Sequence, residues 1–175
     1  MASKKSSMFT LTERLTASTA GTRVSAVIDL GSYVDVGDRQ ALQIHSVDYI
    51  IQGNTASTDL STTFGGDSEV QAQVTDLNRG ELVFANDRSL VSSMRLIFDS
   101  AGNASQDADL YPDNYGKGAD DGRFVVNDAL YCSLIVSTIA ASQAVNLTVR
   151  VNASIVTLSQ KDFMAIAIQS TAADN

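Results

Sequence analysis

This 175-residue chain has no tryptophan, one proline, one cysteine and one histidine, and each scarcity removes a class of chemistry. A lone cysteine, Cys132, forms no internal disulfide. It lies in the alternating run Leu130, Cys132, Leu134, Val136 and reads as an apolar packing residue, because burial raises a thiol's pKa and withholds the reactive thiolate. The one histidine, His45, sits between Ile44 and Ser46, and no Gly-x-Ser-x-Gly turn accompanies it, so a nucleophile and base pair is not indicated. Zinc of the usual kind needs three or four Cys, His or carboxylate ligands and is set aside on the same ground. Gly116-Lys117-Gly118 lacks both the Lys-Ser/Thr ending of a phosphate loop and the third glycine of a dinucleotide fingerprint. Aromatic residues are 6% of the chain, fewer than the ring platforms of sugar-cleaving sites require. No catalytic residue is assigned, and the chain is not expected to be an enzyme.

Glutamate is scarce as well: of 20 acidic residues only Glu13, Glu69 and Glu81 are glutamate, which leaves 17 aspartates. Aspartate bonds to local backbone in turns, whereas glutamate is the usual solvent-face residue of helices, so many turns and little helix are expected. Residues 1–23 carry Lys4, Lys5, Arg14 and Arg23 against Glu13, a formal +3, and the remainder carries −11 to reach the total of −8. An acidic body argues against a broad groove for nucleic-acid phosphates. The short cationic leader leaves weak or indirect nucleic-acid contact open. No apolar run approaches the ~20 residues of a membrane-spanning helix, and the two leader lysines precede no apolar stretch, so folding in a cytoplasm is expected.

What the chain does have is alternation. From Val145 to Ile155 apolar residues hold nearly every odd position while Asn, Thr, Arg and Ser fill the even ones, a period of two that describes a strand with one wet face. After Ile155 the apolar positions become Val156 and Leu158, which predicts a bulge near Ile155. Similar patterns give eight extended segments, at 22–30, 40–52, 69–76, 81–85, 92–98, 123–127, 129–139 and 144–158. In the second of these, Leu42 and Ile44 are out of phase with Val47, Tyr49 and Ile51, which predicts another bulge or a bend. Gly31-Ser32, Gly53-Asn54, Gly65-Gly66-Asp67 and Asn78-Arg79-Gly80 mark reversals. Residues 8–17 fit a helix or an extended arm equally. Ser159 with Asp162 three residues on has capping-box spacing and opens a short C-terminal helix, although Met164, Ile166 and Ile168 also alternate.

The pattern assigns an all-β, antiparallel two-sheet β-sandwich, an eight-stranded jelly roll, with an arm at 1–21, the sandwich at 22–158 and a short helix or arm at 159–175. Two connections are long, 53–68 and 99–122. Within the second, Asp107, Asp109, Asp113, Asp120 and Asp121 are candidate oxygen ligands for Ca²⁺, although Tyr111 and Pro112 occupy places where an EF-hand needs a further ligand and its glycine. Val27, Ile50, Ile97 and Ile135 fall on the otherwise polar sides of their strands and are candidate interface residues. Asn146-Leu-Thr and Asn152-Ala-Ser match the glycosylation spacing, which carries no weight without a secretory signal.

In strand count, wide connections and short leader, residues 22–158 resemble the single jelly-roll capsid proteins of icosahedral viruses. The resemblance implies a self-assembling structural protein, a homo-oligomer located in the virion, in which Lys4, Lys5, Arg14 and Arg23 belong to an assembly arm. It implies copies of itself as partners, with other capsid proteins or an internal membrane beneath. The few cations of the leader depart from the strongly basic arms that condense naked genomes. The alternative is a β-sandwich binding module holding carbohydrate or Ca²⁺ in the 99–122 loop.

Overall fold

The computed structural model describes residues 2–106, 113–115 and 122–171. In chain order its elements are β1 (Ser3–Lys4), β2 (Phe9–Ala17), β3 (Val24–Asp29), β4 (Gln40–Gln52), α1 (Leu60–Thr63), β5 (Ser68–Thr75), β6 (Leu90–Phe98), β7 (Ala104–Gln106), β8 (Asp113–Asn114), β9 (Arg123–Val125), β10 (Ala129–Val136), β11 (Val145–Thr157) and α2 (Gln160–Thr171). They build two antiparallel sheets. In the first, β11 lies between β4 and an edge made of β2 and β1, while β8 and β9 line the far side of β4. The second has the order β3-β10-β5-β6-β7. The eight principal strands thus run β2-β11-β4-β9 in one layer and β3-β10-β5-β6 in the other, which is a jelly roll.

Period-two alternation explains the layers. The inward residues Leu15, Ile44, Val47, Leu147 and Val149 of the first sheet face Ile28, Val70, Val74, Leu130 and Leu134 of the second, all buried in one core. Cys132 belongs to the same core and is fully buried.

Three expectations are corrected. The segment 1–21 is an integral edge rather than an arm: Phe9–Ala17 pairs with Val145–Ala153 residue for residue, and Ser3–Lys4 pairs with Val156–Thr157. Its threonines Thr10, Thr12 and Thr16 alternate with Phe9, Leu11, Leu15 and Ala17, a half-buried strand. Residues 81–85, expected as a strand, form a loop. The predicted bulge near Ile155 is absent, because Ile155 keeps its register with Leu42. Val156 and Leu158 are buried on the opposite, outer face, where they join Ala41, Val126 and Phe163 of α2 in a second small core. The apparent change of phase is therefore a change from one buried face to two.

The irregularity lies on β4. Asn152 faces Ser46 and Ala153 faces Ile44, so His45 is the inserted residue. The insertion brings Leu42 and Ile44 onto the same inward face as Val47 and Tyr49, although their sequence phases differ. The outward His45 Nε2 meets Ser154 Oγ at 2.9 Å, and Ser154 Oγ donates to Gln43 Oε1 at 3.3 Å, so three buried polar side chains satisfy one another beneath the outer cover. At α2, the Ser159 hydroxyl accepts from Asp162 N at 3.2 Å and donates to Asp162 Oδ2 at 2.7 Å, as the capping spacing predicts.

Gly122 enters β9 with φ of +106°, and a Cβ there would sit 2.6 Å from the carbonyl oxygen of Ile44 on the central strand. Gly21 has a similar left-handed φ of +68° with open space around it. Gly122→Ala is expected to cost about 2–3 kcal/mol, a fall in Tm of about 4–12 °C, whereas Gly21→Ala costs only its backbone strain of about 1 kcal/mol. Equal melting temperatures for the two variants in differential scanning calorimetry would contradict the close approach of β9 to β4.

Candidate assembly interface

The outer face of the second sheet is set by its register. Val27, Tyr131 and Thr75 form one row, Ser25, Ser133, Gln73 and Ser93 the next, then Ile135 with Gln71 and Arg95, then Glu69 with Ile97. Val27, Ile135 and Ile97 therefore share this face. Ile50 does not: it pairs with Thr148 on the outer face of the other sheet. Val27 is 54% exposed, while Ile50, Ile97 and Ile135 are half-buried.

Part of this face is crossed by the β5–β6 connection, and one side chain does the fastening. Gln73 Nε2 donates to the carbonyl of Val83 and Gln73 Oε1 accepts from Val83 N, each at 2.8 Å, so the amide copies the paired bonds of a strand. Residues 81–85 gain the bonding of an extended chain without joining a ladder. Arg23 fixes the same loop, donating to Gly80 O at 2.9 Å and to Ser133 Oγ at 2.8 Å. Arg79 pairs with Asp87 at 3.1 Å and donates to Ser89 Oγ at 3.0 Å. Burial acts to raise the Asp87 carboxyl, but hydrogen bonds from Ser89 and Arg79 outweigh it and hold the group below the usual carboxylate range. Phe84 rises from this fastened loop with 87% of its surface exposed.

The leader's four cations are dispersed. Lys4 and Lys5 are exposed at the β1 edge, Arg14 is exposed in mid-β2 opposite Thr148, and Arg23 is held by the second sheet. The outer face of the first sheet is otherwise knit by the two sequon asparagines. Asn152 accepts from Thr10 Oγ1 at 2.7 Å and donates to Ser46 Oγ at 2.9 Å, and Asn146 accepts from Thr16 Oγ1 at 2.7 Å and donates to Gly53 O at 2.7 Å. Each asparagine ties three stretches of chain together.

Of the candidate Ca²⁺ ligands, Asp107, Asp109, Asp120 and Asp121 lie outside the described residues. The backbone of Asp113 pairs with Val47. Among the described residues no group of three or more His, Cys, Asp or Glu side chains stands ready to hold a metal ion. Burial, with the charge of Glu13 adding to it, pushes the Cys132 thiol up to about 12, so at neutral pH it carries no thiolate.

Sequence reading missed two features. One is the set of exposed apolar residues outside the strands: Phe84, Val36 at 70%, Ile168 at 60%, Met164 at 55% and Met8 at 53%. The signal for Phe84 was an aromatic residue between turn-forming Asn78-Arg79-Gly80 and Asn86-Asp87. The other is a pocket of about 230 Å³ at the far end of the β5–β6 hairpin, lined by Leu60 and Phe64 of the α1 region, by Phe98, and by the exposed Asp59 and Asp99. The Phe64 and Phe98 rings stack with centroids 4.6 Å apart and form its apolar wall.

Two antiparallel sheets in this strand order form a jelly roll, an architecture shared by viral capsid domains, lectin domains and cupins. Solved structures agree. VP1 of Merkel cell polyomavirus in complex with disialyllactose matches with a TM-score of 0.50 and 8% identity, covering 90% of this chain and 98% of that one. The same protein in complex with 3'-sialyllactosamine gives 0.50 and 7%, covering 90% and 97%. VP1 of trichodysplasia spinulosa-associated polyomavirus in complex with GM1 oligosaccharide gives 0.49 and 10%, covering 88% and 97%. The two Merkel cell polyomavirus likenesses establish a shared jelly-roll fold. No protein-family model matches the chain, and no curated protein matches its sequence.

At the root of the fastened loop, Asp76 meets Arg123 Nη2 at 3.4 Å, and its Oδ1 has no hydrogen-bond partner among the described residues. Burial pushes its carboxyl above the ordinary 3.8, against the pull of Arg123. A carboxyl raised in the native state binds its proton more readily there than in the unfolded chain. Its contribution to stability is therefore present below 3.8 and is lost as the pH rises through the raised value. Asp76→Asn, which stays neutral, is expected to gain on the wild type in urea midpoints over the interval that starts at 3.8 and ends as the pH passes the raised value. A variant that loses ground over that interval contradicts the assigned direction.

Proposed function

We propose that this chain is a viral coat protein whose copies assemble through their jelly-roll bodies into a closed icosahedral shell, and that its place is the virion. The observation that carries the reading is the distribution of apolar surface. The interior of the sandwich is fully packed, yet Phe84, Val36, Ile168, Met164, Val27 and Met8 are each more than half exposed. Single exposed apolar residues are ordinary, but Met164 and Ile168 lie one turn apart on a helix whose other side, with Phe163, already covers the body. Together they leave an apolar strip on the uncovered side of α2, and a neighbouring subunit supplies its cover. Edge strands support the same reading: β2 and β3 each pair on one side only, with β11 and β10 respectively.

The mechanism is geometric. A rigid two-layer body presents the same surfaces on every copy, and repetition of one contact around rotational axes closes a shell. The fold alone hosts other activities, so it is the uncovered apolar surface that separates assembly from a monomeric binding module. With a net charge of −8 and its leader cations dispersed, the chain is read as packing over other capsid proteins or an internal membrane, with nucleic acid met at most weakly.

Copies that each carry −8 repel one another, and salt screens that repulsion. Size-exclusion chromatography with negative-stain microscopy of the purified protein is expected to show regular capsomers or closed shells, increasing as ionic strength rises from about 0.05 to about 0.5 M. A monodisperse monomer at every salt and protein concentration would sink the reading. A melting temperature raised by Ca²⁺ in such a monomer would establish the binding module instead.

A further inference from the structure

We infer that Phe84 of one copy inserts into the pocket of Leu60, Phe64 and Phe98 on the next, a head-to-tail contact between copies of this chain. The inference rests on the assembly reading and names the contact that drives it.

The two halves are matched in size and chemistry. The pocket holds about 230 Å³, lined by Leu60, Phe64 and Phe98 together with Asp59, Ser61, Asp99 and Ser100, and a cavity of about 150 Å³ already admits a benzene ring. Phe84 is the most exposed large apolar side chain among the described residues. It is also pre-positioned: Val83 beside it is clamped by Gln73, and Asp87 N donates to Phe84 O at 2.9 Å to close a turn directly after it. A fixed aromatic residue loses little freedom on docking. The pocket is equally firm. Asp59 accepts from Ser61 N at 2.9 Å, Ser100 N donates to Asp67 at 2.7 Å, and Asp99 accepts from Asn103 Nδ2 at 2.8 Å. That bond from Asn103 holds the Asp99 carboxyl below the usual range, so the mouth is anionic. Of the exposed charges near Phe84, Arg88 four residues beyond it is opposite to the mouth and Glu81 three residues before it is alike, so the ring rather than charge carries the contact.

Phe84 cannot serve its own pocket. Its neighbour Val83 is tied to Gln73, which faces Ser93, whereas the pocket begins at Phe98, five residues or about 17 Å further along β6. The knob therefore lies over the outer face of the second sheet and the socket at the end of the sandwich beside the main core, and a contact between unlike patches propagates in one direction, closing into a ring where the rotation permits.

Cysteine pairing tests the contact directly. In Ala85→Cys combined with Ser61→Cys, exposed positions beside the knob and in the socket that leave Phe84 in place, mild oxidation is expected to give disulfide-linked ladders, and the buried Cys132 contributes nothing to them. Phe84→Asp, made at an exposed position that leaves the circular dichroism spectrum and Tm unchanged, is expected to weaken assembly about 30-fold or more in sedimentation. Ser61→Trp, which fills the socket, is expected to do the same. Mixing these two single variants restores one intact contact and gives one-to-one dimers that grow no further. Assembly of Phe84→Asp at the wild-type concentration, or the absence of ladders, overturns the contact while leaving the assembly reading in place. A wild type that stays monomeric, together with a double-cysteine variant that yields no ladders, overturns both.

Discussion

The pairing of β11 with β4 is the constraint on which the rest of the structure depends. These two thirteen-residue strands form the centre of the first sheet, and every other strand of that sheet attaches to one of them. Their inward residues, among them Leu147, Val149 and Val151 beside Ile44, Val47 and Tyr49, supply more than a third of the buried residues of the main core. Their outward residues change character along the strands. Toward Asn146 the surface is polar and bonded side chain to side chain, and toward Val156 it is apolar and covered by α2. The insertion at His45 reconciles the two strands, because without it the two inward sets of β4 would face opposite sides.

Burial also sorts the polar groups that these strands carry. Gln43, His45 and Ser154 are buried on the outer side and bond to one another. A polar cluster of this kind is tolerated because its members are satisfied, and it fixes one register of β4 on β11 more narrowly than apolar contacts alone do. The second sheet uses the same economy differently. Its outer face mixes polar rows with Val27, Ile97 and Ile135, and Gln73 uses its amide to hold a loop there.

The sandwich was legible in the sequence because strands with one wet face write their alternation plainly, as Val145–Ile155 and Val70–Val74 do. Reading failed where a face received a non-local cover. Val156 and Leu158 looked like a shift of phase because nothing nearby in the sequence announces that Phe163 will lie over them. Residues 81–85 looked like a strand because a chain lying across a sheet, held by Gln73, also alternates. Phe9–Ala17 was ambiguous because Leu11 and Leu15 stand four apart, as in a helix, and only pairing with β11 decides the matter. The candidate interface residues show the limit of one-dimensional reading: register gathers Val27, Ile97 and Ile135 on one face and sends Ile50 to the other sheet. Phe84 was invisible as a surface residue because its exposure follows from how the loop is fastened.

The first sheet joins the beginning of the chain to its last strand, with Thr16 bonded to Asn146 across 130 positions of sequence. During synthesis β2 and β4 leave the ribosome long before β11, and each lacks the neighbour that completes it. The second sheet needs β10 alone to close, so it can form earlier. An unfinished chain thus has no complete first sheet, and the helix that shields its outer side arrives last of all. The order of synthesis thus makes β11 the strand that completes the body, since β2 and β4 both take it as a neighbour.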